Sequence, residues 1–227
     1  MRAMTLSGWG QPHDALKAIA PEATHVEYAH HESVPGALET IARTGESHDL
    51  VIGWSLGGQL AVRAIAAGLL TPQRLVLIAA PFQFVEQPER RLGMKRDLYD
   101  KFRDNYARNP ERTLHKAWEL ICLDDNRADD VRARLQAQDK TQVLAKDWLR
   151  WLDMLDGFSC GDLDFGRFPP TLLIHGDRDA VVAAGQAQHF ADRLAQPTVA
   201  LMENAGHAPH WHNGEAVRRL IAGYAHV

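Results

Sequence analysis

Over the first 80 and the last 60 residues of this 227-residue chain, short β-type apolar runs alternate with helix-type patterns. The runs are "AMTLSGWG", "THVEYA", "DLVIGWS", "RLVLIAA", "PTLLIHG" and "TVALMEN". Such alternation predicts a parallel sheet with crossover helices. "SLGGQLAVRAIAAGLL" supplies one of these helices, with Leu60, Ala64 and Ala67 at helical spacing. From about Phe82 to Phe168 the strand-type runs stop and helix signals take over. Asn109 and Pro110 form an N-cap and first-turn proline that open "PERTLHKAWELICL", with Leu114, Trp118 and Ile121 on one face. Thr141 similarly opens "QVLAKDWLRWLDML", where Leu144, Trp148, Trp151, Leu152 and Leu155 make a broad apolar stripe. The expected organisation is an α/β core of residues 1–81 and 169–227, interrupted by a helical insertion at 82–168.

Composition narrows the function classes. At 45% hydrophobic and 24% charged residues, the chain is ordinary for a globular protein with a sizeable core. A net charge of −4 and a pI of about 6.3 give no basic field, so neither a nucleic-acid nor a membrane partner is expected. Cys122 and Cys160 are far apart and outside any CxxC arrangement, which excludes a disulfide framework and a zinc ribbon. The start, "MRAMTLSGWG", is too poor in apolar residues for a signal peptide. No run reaches the roughly 18 apolar residues of a membrane span. A cytoplasmic protein is expected.

The chemistry concentrates at "LVIGWSLGGQLAV". Gly53, Ser55 and Gly57 fit G-x-S-x-G, in which a serine sits on a strained strand-to-helix turn and small neighbours permit the turn. A β-type run before it and an amphipathic helix after it are the setting this motif requires. A serine hydroxyl is a weak nucleophile, so it needs a base within hydrogen-bonding reach and a carboxylate to orient that base. "TLLIHGDRDAVV" offers Asp177 and Asp179 beyond a strand, and "LMENAGHAPH" offers His207 beyond the next. The order Ser, Asp, His is the one expected in such a fold. His207, His210 and His212 also make an HxxHxH spacing, but no acidic or cysteine cluster accompanies it, and no metal is expected. His30 and His31 are expected to point apart at the surface.

Together "SGWG", "GWSLGG", "HGDRDAVV" and "GHAP" resemble the α/β-hydrolase superfamily, and in particular its BioH-type branch, the pimeloyl-[acyl-carrier-protein] methyl ester carboxylesterases of biotin synthesis. The resemblance implies an α/β-hydrolase fold with a helical lid and a serine carboxylesterase without metal or organic cofactor. It assigns Ser55 as nucleophile, His207 as general base and Asp179 as the orienting acid, with Asp177 as runner-up. The backbone N–H groups of Leu56 and Trp9 would form the oxyanion hole. Trp9, Trp54 and Phe82 would line the acyl pocket, although Trp54 is equally explained by core packing. A carrier-bound ester would need a basic docking surface, for which Arg127, Arg132 and Arg134 are the candidates. Asp125, Asp129 and Asp130 lie among them, as in a solvated helix face of mixed charge.

Two departures from the family pattern matter. Ser7 stands where a histidine usually precedes the oxyanion loop, which affects loop orientation more than chemistry. The loop also comes two strands earlier than usual. This predicts a shortened sheet of about six strands, with an edge covered by the chain's own helices or by weak homodimerisation of an otherwise monomeric protein. The substrate expected first is the methyl ester of pimeloyl-acyl-carrier protein. The alternatives are small acyl esters, lactones or C–C bonds, and a non-catalytic ligand-binding member of the fold.

Overall fold

The computed structural model describes residues 1–138, 143–144 and 147–225. Among these residues six strands form one wholly parallel sheet: β1 (Ala3–Leu6), β2 (Thr24–His25), β3 (Leu50–Trp54), β4 (Arg74–Ile78), β5 (Thr171–Gly176) and β6 (Pro197–Met202). Their spatial order is β2-β1-β3-β4-β5-β6. This is the shortened α/β-hydrolase sheet expected from the sequence. β1 ends against Gly53, and β3 runs beside β4 with Trp54 opposite Ile78. The carboxyl ends of the central strands therefore share one rim.

The central strands read as unbroken apolar runs because both sheet faces are covered. All of β3 and β5 is buried. The period of two sends Val51, Leu75, Leu77 and Leu173 into one cluster, with α1 (Val34–Gly45) and α2 (Leu56–Ala66). Ile52, Trp54, Val76, Ile78, Leu172 and Ile174 enter the opposite cluster, which Val217 and Ile221 of α9 (Gly214–Ala225) complete. At the edges the pattern changes. β2 is two residues long, and β6 leaves Val199 and Leu201 exposed.

Between β4 and β5 lie α3 (Arg96–Arg108), α4 (Pro110–Cys122), α5 (Ala128–Gln136) and α6 (Trp148–Asp156). The two ends of this stretch are tied together, since Cys160 N–H donates to the Phe82 carbonyl at 2.9 Å and Gln83 bridges Ser159. Asn109 caps α4 as predicted, accepting from Arg112 N–H at 3.0 Å, and Leu114, Trp118 and Ile121 are all buried. The expected start at Thr141 lies outside the described residues, and α6 itself begins at Trp148. Trp148, Trp151, Leu152 and Leu155 form the buried stripe, but Leu144, which lies ahead of α6, is exposed. His30 and His31 also differ from expectation. They sit in a turn, so their rings face one another at 4.1 Å instead of pointing apart.

α7 (Gly185–Ala191) precedes β6, and α8 (Pro209–His212) follows it, immediately before α9. Among the described residues no helix is long and apolar enough to cross a membrane.

Candidate active site

Ser55 occupies the turn between β3 and α2 with φ 52° and ψ −119°. A non-glycine residue in this region costs on the order of 1–3 kcal/mol and persists only where its surroundings hold it. Here the hold comes from the sheet: Ser55 N–H donates to the Ile78 carbonyl at 2.9 Å. The flanking glycines are there for space. A Cβ on Gly53 would lie 2.5 Å from Gly58 Cα, and one on Gly57 would lie 2.2 Å from the Leu6 carbonyl oxygen. Any larger residue would lift the turn off β1.

His207, in the loop after β6, brings Nε2 to 3.0 Å from Ser55 Oγ and Nδ1 to 2.7 Å from Asp179 Oδ2. A carboxylate only accepts, so Nδ1 carries the proton in the neutral ring and Nε2 is left to accept from the serine hydroxyl. Asp179 is fully buried. Its Oδ1 accepts from Val181 and Val182 N–H, both at 2.8 Å, while Oδ2 also lies 3.1 Å from His175 Nε2. Burial alone would raise its pKa, but the His207 charge and the hydrogen bonds from His175 and His207 hold the carboxyl well below the usual range. Asp177 is exposed and its N–H pairs with Met202, so Asp179 is the acid that meets the histidine.

The loop ahead of the first crossover packs directly on the serine, and a Cβ at Gly8 would lie 3.4 Å from Ser55 Cβ. Ser7, in the place of the usual histidine, keeps a supporting role. Its hydroxyl lies 2.7 Å from the Pro12 carbonyl and 2.9 Å from that of His13, and Tyr28 Oη donates to the Ser7 carbonyl at 2.6 Å. The adjacent Trp9 is fixed by its indole N–H, which donates to the Trp148 carbonyl at 2.8 Å. Leu56 is the first residue of α2, where backbone N–H groups have no partner within the helix.

A cavity of about 60 Å³ opens beside Ser55 and His207. Gly8, Trp9 and Trp54 line it from the core, while Phe102, Trp118 and Leu152 of α3, α4 and α6 line it from the other side. Trp54 fits both readings of it. It borders the cavity, yet it is buried against Trp211 and donates its indole N–H to the His207 carbonyl at 3.0 Å. Phe82 does not border the cavity. It packs in the core against Phe165 and Phe190, because the chain turns inward after β4, and Phe84 two residues on reaches the cavity instead.

His210 and His212 leave the HxxHxH spacing for separate partners. His212 Nδ1 donates to Asp125 at 2.7 Å, and His210 packs edge-on to Trp54 at 4.5 Å. Among the described residues no group of three His, Cys, Asp or Glu converges as a metal site. Of the arginines, Arg127 pairs with Asp130 at 3.0 Å and Arg132 with Asp129, both within α5 or its first turn, while Arg134 is exposed on α5. Sequence reasoning missed His175 and the pairing of Asp125 with His212. His175 left a signal, as the one imidazole in the buried run "TLLIHG". Asp125 left none.

A model of the alpha/beta hydrolase family matches residues 2–220. A pimeloyl-[acyl-carrier protein] methyl ester esterase of Aromatoleum aromaticum is 30% identical, over 95% of this chain and 94% of that one. A protein of the same name from Nitrosomonas europaea is 29% identical, over 78% of this chain and 71% of its own. Among solved structures, an esterase from Exiguobacterium antarcticum superposes with a TM-score of 0.80 at 15% identity, covering 100% of this chain and 92% of that one, a likeness of fold alone. The chain belongs to the alpha/beta hydrolase family and is one of its carboxylic ester hydrolases.

Proposed function

We propose that the protein hydrolyses esters of neutral acyl chains through a Ser55–His207–Asp179 triad, with the methyl ester of pimeloyl-acyl-carrier protein as its physiological substrate. The observation that carries the reading is His207, hydrogen-bonded on one side to Ser55 and on the other to a buried carboxylate, at the edge of an apolar cavity. In the first step Ser55 Oγ attacks the ester carbonyl carbon as His207 Nε2 takes its proton. The carbonyl oxygen becomes an oxyanion facing the N–H groups of Leu56 and Trp9. His207 returns the proton to the departing alcohol, leaving an acyl-serine. Water, deprotonated by the same nitrogen, then releases the acid.

The substrate class follows from the lining. Beyond Ser55 and His207 the cavity offers aromatic and aliphatic walls and, among the described residues, no cationic side chain, which suits an uncharged methylene chain and disfavours a free dicarboxylate. Residues 82–168 act as a lid over this chain. The names of the curated relatives support pimeloyl methyl ester on a carrier protein. Of the three arginines considered for docking, Arg134 is the one we retain, because Arg127 and Arg132 already meet carboxylates of their own segment.

The test is hydrolysis of p-nitrophenyl butyrate, then of methyl pimeloyl-carrier protein, by the wild type and by Ser55→Ala. Activity on both that vanishes with Ser55 supports the reading. Turnover of the small ester with none of the carrier-bound ester would remove the physiological substrate, and an active Ser55→Ala would remove the mechanism.

A further inference from the structure

We propose that Asp125, braced by His212, is a positioning residue for His207; the assignment rests on His207 being the catalytic base. Asp125 follows α4, and its carboxylate is fully buried. Both of its oxygens are committed. Oδ1 accepts from Arg127 N–H and from His212 Nδ1–H, each at 2.7 Å, and Oδ2 accepts from Gly206 N–H at 2.8 Å. Gly206 is the residue immediately before His207.

Other contacts converge on the same peptide. His207 N–H donates to the Ile121 carbonyl at 3.3 Å, and Asn126 N–H to the Asn204 carbonyl at 3.0 Å. On the far side the Trp54 indole holds the His207 carbonyl. The two chain segments meet so closely that a Cβ on Gly206 would lie 2.8 Å from the Ile121 carbonyl oxygen and 3.3 Å from Asp125 Cβ. Each segment also carries a left-handed residue at the junction, Asp124 at φ 60° and Asn204 at φ 57°. Asp and Asn tolerate this region better than most side chains, but two of them facing across one junction mark a backbone set for a particular geometry.

The loop from Asn204 to His207 is therefore gripped by the end of α4, the helix whose Ala117, Trp118, Leu120 and Ile121 also wall the cavity. A buried carboxylate is a poor way to gain stability, since its desolvation offsets much of what its bonds return. Its use here fixes the backbone from which His207 reaches Ser55. Loss of the grip displaces the imidazole, and misplacement by about 1 Å costs on the order of 100-fold in rate.

The experiment compares Asp125→Ala, Asp125→Asn and His212→Asn with wild type on p-nitrophenyl butyrate, with rates expressed per active site titrated by the p-nitrophenol burst. Ser55→Ala runs alongside. For Asp125→Ala the expected result is a kcat about 100-fold lower with KM within about threefold, and loss of the downfield proton resonance of His207 Nδ1–H. Asp125→Asn keeps an oxygen for Gly206 N–H but turns its NH2 towards Arg127 N–H and His212, and should recover part of the kcat. His212→Asn, which retains the carboxylate and loosens its brace, should fall between them and remains informative if Asp125→Ala does not fold. Wild-type kcat per titrated site in Asp125→Ala, or in His212→Asn if Asp125→Ala does not fold, with the His207 resonance unchanged, overturns the positioning role while Ser55→Ala stays inactive. An active Ser55→Ala would instead remove the base assignment beneath it.

Discussion

Two buried histidine–aspartate pairs, His207 with Asp179 and His212 with Asp125, share the same 2.7 Å bond from Nδ1 to a carboxylate oxygen. Their surroundings separate them. His207 turns its other nitrogen to Ser55 beside an apolar cavity, and its aspartate is held by two further N–H groups and by His175. Among the described residues the second pair meets no hydroxyl, and the spare oxygen of Asp125 goes to Gly206 N–H. A histidine–carboxylate bond by itself does not mark a catalytic centre. What decides is the group that faces the outer nitrogen and whether there is room for a substrate next to it.

The comparison is sharpest at the first pair. Ser55→Ala and His207→Ala should each reduce kcat on p-nitrophenyl butyrate by roughly 10⁴-fold or more. An effect below tenfold in either would dissolve the distinction between the pairs. Asp179→Asn should cost about 10³–10⁴-fold, since the amide offers His207 Nδ1 a donor as readily as an acceptor. Asp177→Asn should stay within about twofold because that side chain is exposed and does not meet the histidine, so side-by-side kinetics of the two variants checks the choice of acid. The Asp125 variants, at about 100-fold or less, should come next, with the loss in kcat and not in KM.

The smallest effect expected on activity, and a measurable one on stability, belongs to His210. It is buried and, among the described residues, has no hydrogen-bond partner for either ring nitrogen, and burial pushes its pKa down to about 3. The unfolded chain takes up this proton near pH 6.5 while the folded one does not. Its contribution is thus whole above pH 6.5 and is lost progressively as pH falls towards 3. By pH 5 the loss is about 2 kcal/mol. Urea unfolding between pH 7.5 and 5 should show this slope in wild type and a shallower one in His210→Leu, with kcat at pH 7.5 changed little. Equal slopes would mean that the imidazole is not held neutral. Asp179, held low in the folded state, adds a loss of the same sign at still lower pH, below the ordinary carboxylate range.

Much of the first pair was legible in the chain. The serine turn announces itself because its glycines are dictated by backbone contact, and the acid and histidine follow strands whose apolar runs are continuous. The choice of Asp179 over Asp177 came from the family pattern, and the structure brings Asp179 alone to His207. Phe82 was misjudged because an aromatic residue just after a strand carries no sign of which way the chain will turn, and Phe84 took the place expected of it. Leu144 was misjudged because it lies ahead of α6, whose own residues make the buried stripe.

Local sequence alone set the parallel α/β framework and the strained serine turn. Each of these depends on residues within a few positions of one another, where steric limits and the period of burial leave a direct imprint. Tertiary structure alone decided which residues wall the cavity and which carboxylate grips the loop of His207. Asp125 and Gly206 are 81 positions apart. No local rule records their bond, because it forms only when the end of α4 is laid against the rim of the sheet.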